Sequence, residues 1–554
     1  MGVQFMMKNI KNQIVMSAGI ISYMILLFMR IPLANIIGDA GMGLFAPAFE
    51  LFIVITLITS YSMSKSMSGL IRYRVKRERY RNAGKVFHAA FFLNLFISAA
   101  ASGILLLLSS VIADVLVLEH LSRMALLAAA PAVIFASLIG TFRGYFNGYG
   151  LGVLVAHSQY IEKISMVICV LLCSKAFQEY GENVAALLQS DSYAYAYGAL
   201  GAMLGVALSQ VITTVYLLVI YAVYSVTLRG RLGQDNGKRL ETQYSIQKMI
   251  LSSLVPLSLV AVFSNLFMLF DQRFFNYYMN VSGQGEVRTR QWGGYYSRFA
   301  VMIGLGAAIC CIVVLPMIGK AGSSYDREEY RPMRERIGKA VRKLSIMAFP
   351  ITVYLAVLAQ SLIRLSYGKK SASIAAKEVS KLLVFTMQEG AIVIVLFGFS
   401  FLFGQLLYKL NMVRELFFTV MISFLVHLAA GYLLVHKLLL GMTGLIGALL
   451  LMFGVYASLS FVFVSRHIRY RQDWLTGVTF PAIAAGVSGV VVFLLQLVLT
   501  EAAGDLITVL VALVAGVFIY IFLLMALRVI GEAELSRMPL GFFFILLGKN
   551  LGIL

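Results

Sequence analysis

A guanidinium inside an apolar run is the first place in this chain where chemistry could sit. Arg30 occupies that position, in the stretch FMRIPLANIIGDAGMGLF from Phe28 to Phe45. The surrounding run predicts a helix over about 14–37, and Arg30 lies roughly 10 Å along the axis from its end at 1.5 Å per residue. A guanidinium at that depth costs about 2.5 to 3.5 kcal/mol on insertion scales. It therefore either points into a bundle interior or watery cavity, or snorkels to the interface beside Asp39. Both placements are open on the residues alone.

Few other ionisable residues lie inside apolar runs. Asp271 and Arg273 lie in NLFMLFDQRFF, Arg298 in YYSRF, Glu389 in FTMQEGAIV and Glu162 in SQYIEK. Joined with Arg30 they would make a cationic cavity with a carboxylate in its wall. Such a cavity suits a diphosphate or another anion, because guanidinium groups bind phosphate oxygens bidentately. The other reading of each residue is an interhelical salt bridge or an interfacial charge.

The chemistry of an enzyme is harder to assemble. The six histidines, His88, His120, His157, His427, His436 and His467, stand singly without an HExxH pattern, and no phosphate-binding GxxxxGK[ST] loop occurs. No carboxylate pair has a spacing suited to acid/base work, so we expect no catalytic residue, metal site or cofactor. Secondary transport is the default class.

The elements that must position these residues follow from composition. The chain of 554 residues is 60% hydrophobic and 13% charged, far beyond the apolar share of soluble domains, and is expected to be an all-α polytopic membrane protein. Hydropathy places about 14 transmembrane helices of some 20 residues each, joined by short loops. Two outer segments, 175–193 and 280–294, are long and polar enough to act as lids. The first span is too long for a signal sequence and no cleavage site follows it, so it is expected to be retained. Cys169, Cys173, Cys310 and Cys311 lie in apolar runs and read as reduced core residues.

The net charge of +21 raises the question of nucleic acid. With a cytoplasmic N-terminus, about thirty of the Lys and Arg residues fall on inner segments, roughly three times the number outside. The surplus is thus a topology signal, with both termini cytoplasmic, and no nucleic-acid partner is expected. Two basic loops also echo each other: RYRVKRERYRNAGKVFHAAF (Arg72 to Phe91) after span 2, and REEYRPMRERIGKAVRKLSIMAF (Arg327 to Phe349) after span 8. Their spacing suggests two six-helix halves in parallel orientation. The expected divisions are a lobe over 1–226, a linker over 227–249, a second lobe over 250–468, and two further helices with a tail over 469–554.

RIPLANIIGDAGMGLF resembles the first-helix signature of the lipid II flippase and stage V sporulation protein B group, within the multidrug/oligosaccharidyl-lipid/polysaccharide exporter superfamily. The resemblance continues in order through RGYFNGYGLGVLVAHSQYIEK (Arg143 to Lys163), LFDQRF, YYSRF, PMIGKAGSSYDREEYRPM, AFPITVYLAVLAQSLIRLSYG (Ala348 to Gly368), GLIGA (Gly444 to Ala448) and GEAELSRMPLG (Gly531 to Gly541). It implies a V-shaped bundle of two six-helix lobes around a central cavity, with two C-terminal helices offering a groove for a polyprenyl tail. It also implies that Arg30 and Arg298 bind a diphosphate head group, and that Asp271 is linked to cation coupling. Arg273 is assigned with the substrate arginines and Glu389 with the coupling carboxylate, while Asp39, Arg143 and Glu162 are assigned to gating or structure.

The pattern departs from the family at Tyr23, where another arginine is usual, and at Ser60 to Met63, Met67, Ser68 and Leu154. His427 and Gly431 stand where asparagines are common, and Met452 where a hydroxyl is expected. A sodium site built from those side chains is incomplete.

The expected function is a flippase that moves an undecaprenyl-diphosphate-linked glycan, lipid II or a related polysaccharide precursor, across the bacterial plasma membrane as a monomer by alternating access. Its partners would be that lipid, membrane lipids and cell-envelope synthesis enzymes. The alternatives are a multidrug/organic-cation antiporter of the same superfamily, with twelve spans, and a non-transporting scaffold for envelope-synthesis enzymes.

Overall fold

The computed structural model describes residues 2–230, 235, 240–368, 374–536 and 541–550, and the described residues are almost all helical, with no strand among them. In chain order the helices are α1 (Gly2–Thr56), α2 (Met63–Val75), α3 (Tyr80–Val111), α4 (Arg123–Gly148), α5 (Gly152–Leu188) and α6 (Ser192–Gly230). They continue with α7 (Gln243–Phe263), α8 (Phe267–Val281), α9 (Gly285–Gly294), α10 (Ala300–Tyr325), α11 (Tyr330–Val357), α12 (Ala359–Tyr367), α13 (Ile374–Gly390) and α14 (Val393–Lys409). The last are α15 (Val413–Gly431), α16 (Gly441–Ile468), α17 (Phe480–Ala526), α18 (Glu532–Leu535) and α19 (Gly541–Asn550). Helix is the answer a lipid solvent dictates, since it satisfies every backbone donor and acceptor within the segment.

Among the described residues, ten helices are long and apolar enough to cross a membrane, or eleven if α13 and α14, bent by 48°, form one span. Two of these stretches, Ser17–Val75 and Leu475–Ala526, run to 59 and 52 residues, more than twice the roughly 20 residues one crossing needs. Both are broken by a glycine in the left-handed region, Gly38 at φ 73° and Gly504 at φ 78°, a conformation that costs a side-chain-bearing residue about 1 to 2 kcal/mol. The breaks reverse the chain. Arg30 and Glu50 would lie about 30 Å apart on an unbroken helix, yet they form an ion pair at 3.1 Å. Val492 packs in the same way with Ala512 across Gly504. The tally of fourteen crossings depends on how these two hairpins and the 37-residue α5 are threaded, and it remains a proposal.

Both segments expected as polar outer loops hold helix. Lys175 to Leu188 continues α5, because Ala, Leu, Glu and Gln sustain helix in KAFQEYGENVAALL. Residues 285–294 form α9, which packs on α1. That packing is backbone on backbone: a Cβ on Gly43 would collide with the Thr289 carbonyl, and one on Gly293 with the Asp39 carbonyl.

Contacts group the chain into two compact units, one of Met1–Ser297 with His427–Leu445, the other of Arg298–Val426 with Ile446–Leu554. In the first, α5 packs along α6, α4 packs on α3 and α6, and α1 packs on α5. A core of Met67, Ile71, Phe87, Phe146, Leu217 and Ile250 ties α2, α3, α4, α6 and α7 together. In the second, α11 is central, touching α10, α14 and α17. Tyr354 hydrogen-bonds Ser488 at 3.0 Å and Tyr520 donates to the Ile346 carbonyl at 3.0 Å, which pins both arms of α17 to α11.

Candidate functional site

The intramembrane ionisable residues fall into separate clusters. Arg30, only 3% exposed, donates from Nη2 to Glu50 Oε1 at 3.1 Å. Its guanidinium lies 3.8 Å from the Tyr296 ring centroid and 5.7 Å from that of Phe49. Tyr296 in turn donates its hydroxyl to the same Glu50 Oε1 at 2.6 Å. The charge is thus held by a carboxylate and a ring face, which is how a buried guanidinium is tolerated. Arg30 Nε makes no hydrogen bond among the described residues. Neither Glu50 nor Tyr296 is among the expected site residues, although Glu50 is a lone carboxylate in the apolar run FAPAFELFIV.

Asp271 on α8 and His427 on α15 form the second cluster. Both side chains are fully buried, and His427 Nε2 stands 2.9 Å from Asp271 Oδ1. The Phe267 ring meets the imidazole edge-on at 5.8 Å. Asp271 Oδ2 makes no hydrogen bond among the described residues. Neighbouring side chains on α8 tie the helix to nearby backbone: Gln272 donates to the Gly43 carbonyl at 3.1 Å, Asn276 to the Val117 carbonyl at 2.7 Å, and Arg273 to the Val115 carbonyl. In this structure Arg273 therefore holds a chain segment.

Glu162 on α5 anchors the third cluster, at 2.7 Å from Arg143 Nη1 and 2.6 Å from Lys163 Nζ. Arg143 also donates from Nε to Ser158 at 2.8 Å. A cavity of about 290 Å³ opens beside these groups, lined by Tyr23, Phe49, Tyr61, Glu162, Lys163 and Gln210 among others. That volume sits at the bottom of the range for small-molecule sites and is too small to enclose a glycan.

Arg298 and Glu389 belong to the second unit. Arg298 is 1% exposed and its guanidinium lies 3.6 Å over the Tyr367 ring. The widened turn Tyr295–Phe299 that carries it also carries Tyr296, and the boundary between the units falls between Ser297 and Arg298. A turn of this kind re-aims side chains within a helix and is common at functional sites. Glu389 sits just before the α13–α14 bend, and its Oε2 makes no hydrogen bond among the described residues. Asp39 is partly buried next to Gly38, and its carbonyl lies against Gly293.

Residues 10–321 match the pattern of a family described as polysaccharide biosynthesis protein. The chain is 21% identical to stage V sporulation protein B of Bacillus subtilis (strain 168) over 536 residues, covering 95% of this chain and 96% of the relative. Among solved structures, the lipid II flippase MurJ in an inward closed conformation has a TM-score of 0.59 at 14% identity, covering 91% of this chain and 96% of its own. A multidrug resistance MATE family transporter of the MOP superfamily, in an inward-facing conformation, has a TM-score of 0.60 at 14% identity, covering 81% of this chain and 94% of its own. The fold is the one these transporters share.

Proposed function

Because the chain belongs to the polysaccharide biosynthesis protein family, we propose that it moves a polyprenyl-diphosphate-linked glycan from the inner to the outer leaflet of a bacterial plasma membrane by alternating access. The diphosphate cannot cross hydrocarbon unaided. A protein that replaces its hydration with guanidinium groups lowers that barrier while the polyprenyl tail stays in lipid. Arg30 carries this reading: it is buried, charge-compensated by Glu50 and stacked on Tyr296. The substrate phosphate would exchange with Glu50, and Arg298 would supply the second guanidinium. The small cavity of the first unit does not hold the glycan in this account. The head group is admitted only in other conformations of the cycle.

Asp271, with His427 against it, is the coupling group in this reading. Protonation or cation binding at the pair changes its charge and so biases one state over the other. Glu389 is the second candidate, and a membrane-potential drive on the anionic lipid would need neither. The protein works as a monomer with both termini cytoplasmic and supplies cell-envelope synthesis enzymes. The rival reading, an organic-cation antiporter, is favoured by the likeness to multidrug transporters. Two observations weigh against it: the buried arginines, and the lipid II flippase structure covering a tenth more of this chain.

The test is to purify the protein in mild detergent and weigh its co-purifying lipids by mass spectrometry, alongside Arg30→Ala and Arg298→Ala. A polyprenyl-diphosphate glycan enriched on the wild type and lost from both variants supports the reading. Ordinary phospholipids on all three, with organic cations stabilising the protein, would transfer the assignment to the antiporter. Envelope enzymes captured equally by wild type and by both variants, with no glycolipid on any of them, would favour the scaffold.

A further inference from the structure

A basic recess of about 660 Å³ lies in the second unit, remote in sequence from the residues assigned above. One wall is the face of α11 carrying Arg334, Lys339 and Arg342. The other is the turn after α16 carrying Arg469 and Arg471. The two carboxylates in the lining, Glu335 and Asp473, are already engaged. Glu335 pairs with Arg331 one helical turn away at 3.6 Å. Asp473 caps the next turn, accepting from the Leu475 amide at 3.1 Å and from the Thr476 hydroxyl at 2.5 Å, and these bonds hold its carboxyl below the usual range. Arg342 is neutralised by Glu534 at 2.5 Å, and Arg334 Nε donates to the Ile468 carbonyl at 2.8 Å. Lys339, Arg469 and Arg471 make no ion pair or hydrogen bond among the described residues.

The first basic loop of the chain shows the contrast. There an internal acid fills the corresponding role: Arg74 is salt-bridged to Glu241, and Lys85 donates to the Glu241 carbonyl at 3.1 Å. The second loop and the turn after α16 together keep three unneutralised cations around an open recess. Its surroundings are those of a membrane interface. Trp474 and Leu475 follow directly, 54% and 61% exposed, and an exposed Trp is characteristic of the headgroup level. From there Ile483, Val487, Val490, Leu494 and Leu497 on α17 present an exposed apolar stripe at helical spacing.

We propose that this recess binds the phosphate-bearing headgroup of an anionic phospholipid, with its acyl chains lying along the α17 stripe. Lys339, Arg469 and Arg471 meet the phosphate, and Tyr470, whose hydroxyl burial keeps protonated, stiffens the turn through its hydrogen bond to Gln472. The site shares no residue with the arginines proposed to meet the substrate, and basic pockets of this kind on the cytoplasmic side are where anionic headgroups settle. Nothing in the proposal depends on which lipid, or whether any glycan, is transported.

The test titrates short-chain phosphatidylglycerol, short-chain phosphatidylcholine or inorganic diphosphate into the detergent-solubilised full chain, reading bound lipid by native mass spectrometry and thermal stability in parallel. Three proteins are compared: wild type, Arg469→Gln/Arg471→Gln, and a charge-matched control, Lys320→Gln/Arg327→Gln, outside the recess and without contact to its carboxylates. The expected result is tight phosphatidylglycerol binding by wild type and control, weakened at least about tenfold in the recess variant, with little effect of phosphatidylcholine or diphosphate. Equal weakening in the control would reduce the effect to net charge and overturn the proposal, as would unchanged binding by the recess variant. Diphosphate binding at the strength of the lipid would assign the recess to a soluble anion instead.

Discussion

Glu50 Oε1 sits 3.1 Å from Arg30 Nη2 across the Gly38 hairpin and takes a second hydrogen bond from Tyr296 at 2.6 Å. One carboxylate oxygen thereby holds the charge proposed to meet the substrate. Removing that carboxylate leaves a guanidinium buried without its counter-ion, a change that costs about 3 to 5 kcal/mol for a buried pair. Glu50→Ala is therefore expected to lower the melting temperature sharply in detergent. Tyr296→Phe, which loses one hydrogen bond but keeps the ring under Arg30, should cost about 1 to 2 kcal/mol. The double variant Arg30→Met/Glu50→Leu should be more stable than Glu50→Ala.

Asp271 and His427 give the second prediction. Asp271→Asn keeps a hydrogen-bonding partner for His427 while removing the charge. Transport should fall at least about tenfold, equivalent to about 1.4 kcal/mol at the rate-limiting step, and become insensitive to the ion or pH gradient that drives the wild type. Melting temperature should change by much less than in Glu50→Ala. Uptake into proteoliposomes under imposed gradients checks both parts, and an unaltered gradient response would remove Asp271 from coupling.

The close backbone approach of α9 to α1 makes a purely steric prediction. Gly293→Ala places a Cβ against the Asp39 carbonyl, and an overpacked site typically costs about 1 to 3 kcal/mol. Gly84→Ala, where a Cβ meets open space, should be neutral or slightly stabilising within a helix. Thermal unfolding of the two variants in the same detergent separates the effects.

Glu162 supplies a fourth. It is the shared acceptor of Arg143 and Lys163, so Glu162→Gln leaves two cations facing each other in a nearly closed site. Stability should drop by more than in Lys163→Met, which keeps the Arg143 pair. The ordering of the two melting temperatures is the measurement.

Much of this was legible in the sequence because the lipid solvent writes it there. The apolar runs that form the helices and the burial of Arg30 both follow from the cost of placing charge in hydrocarbon. The partners of the buried charges were less legible. Glu50 is 20 residues from Arg30 and His427 is 156 from Asp271, so periodicity within one helix says nothing about either pair. The chain reverses at Gly38, next to the predicted end of the first helix at 37, and at Gly504, between the acidic residues Glu501 and Asp505. Polarity alone predicts loops over 175–193 and 280–294, whereas helix propensity sustains α5 to Leu188 and α9 over 285–294 packs on α1.

The central claim is transport of a polyprenyl diphosphate lipid through a path that uses Arg30. The most direct measurement is transbilayer movement of such a lipid, with its head group labelled, in proteoliposomes of wild type and Arg30→Ala, each confirmed folded by its melting transition. The account predicts rapid movement with wild type and a loss of at least about tenfold in the variant. Equal movement by both proteins, or no movement of the lipid while an organic cation is exchanged, would contradict it.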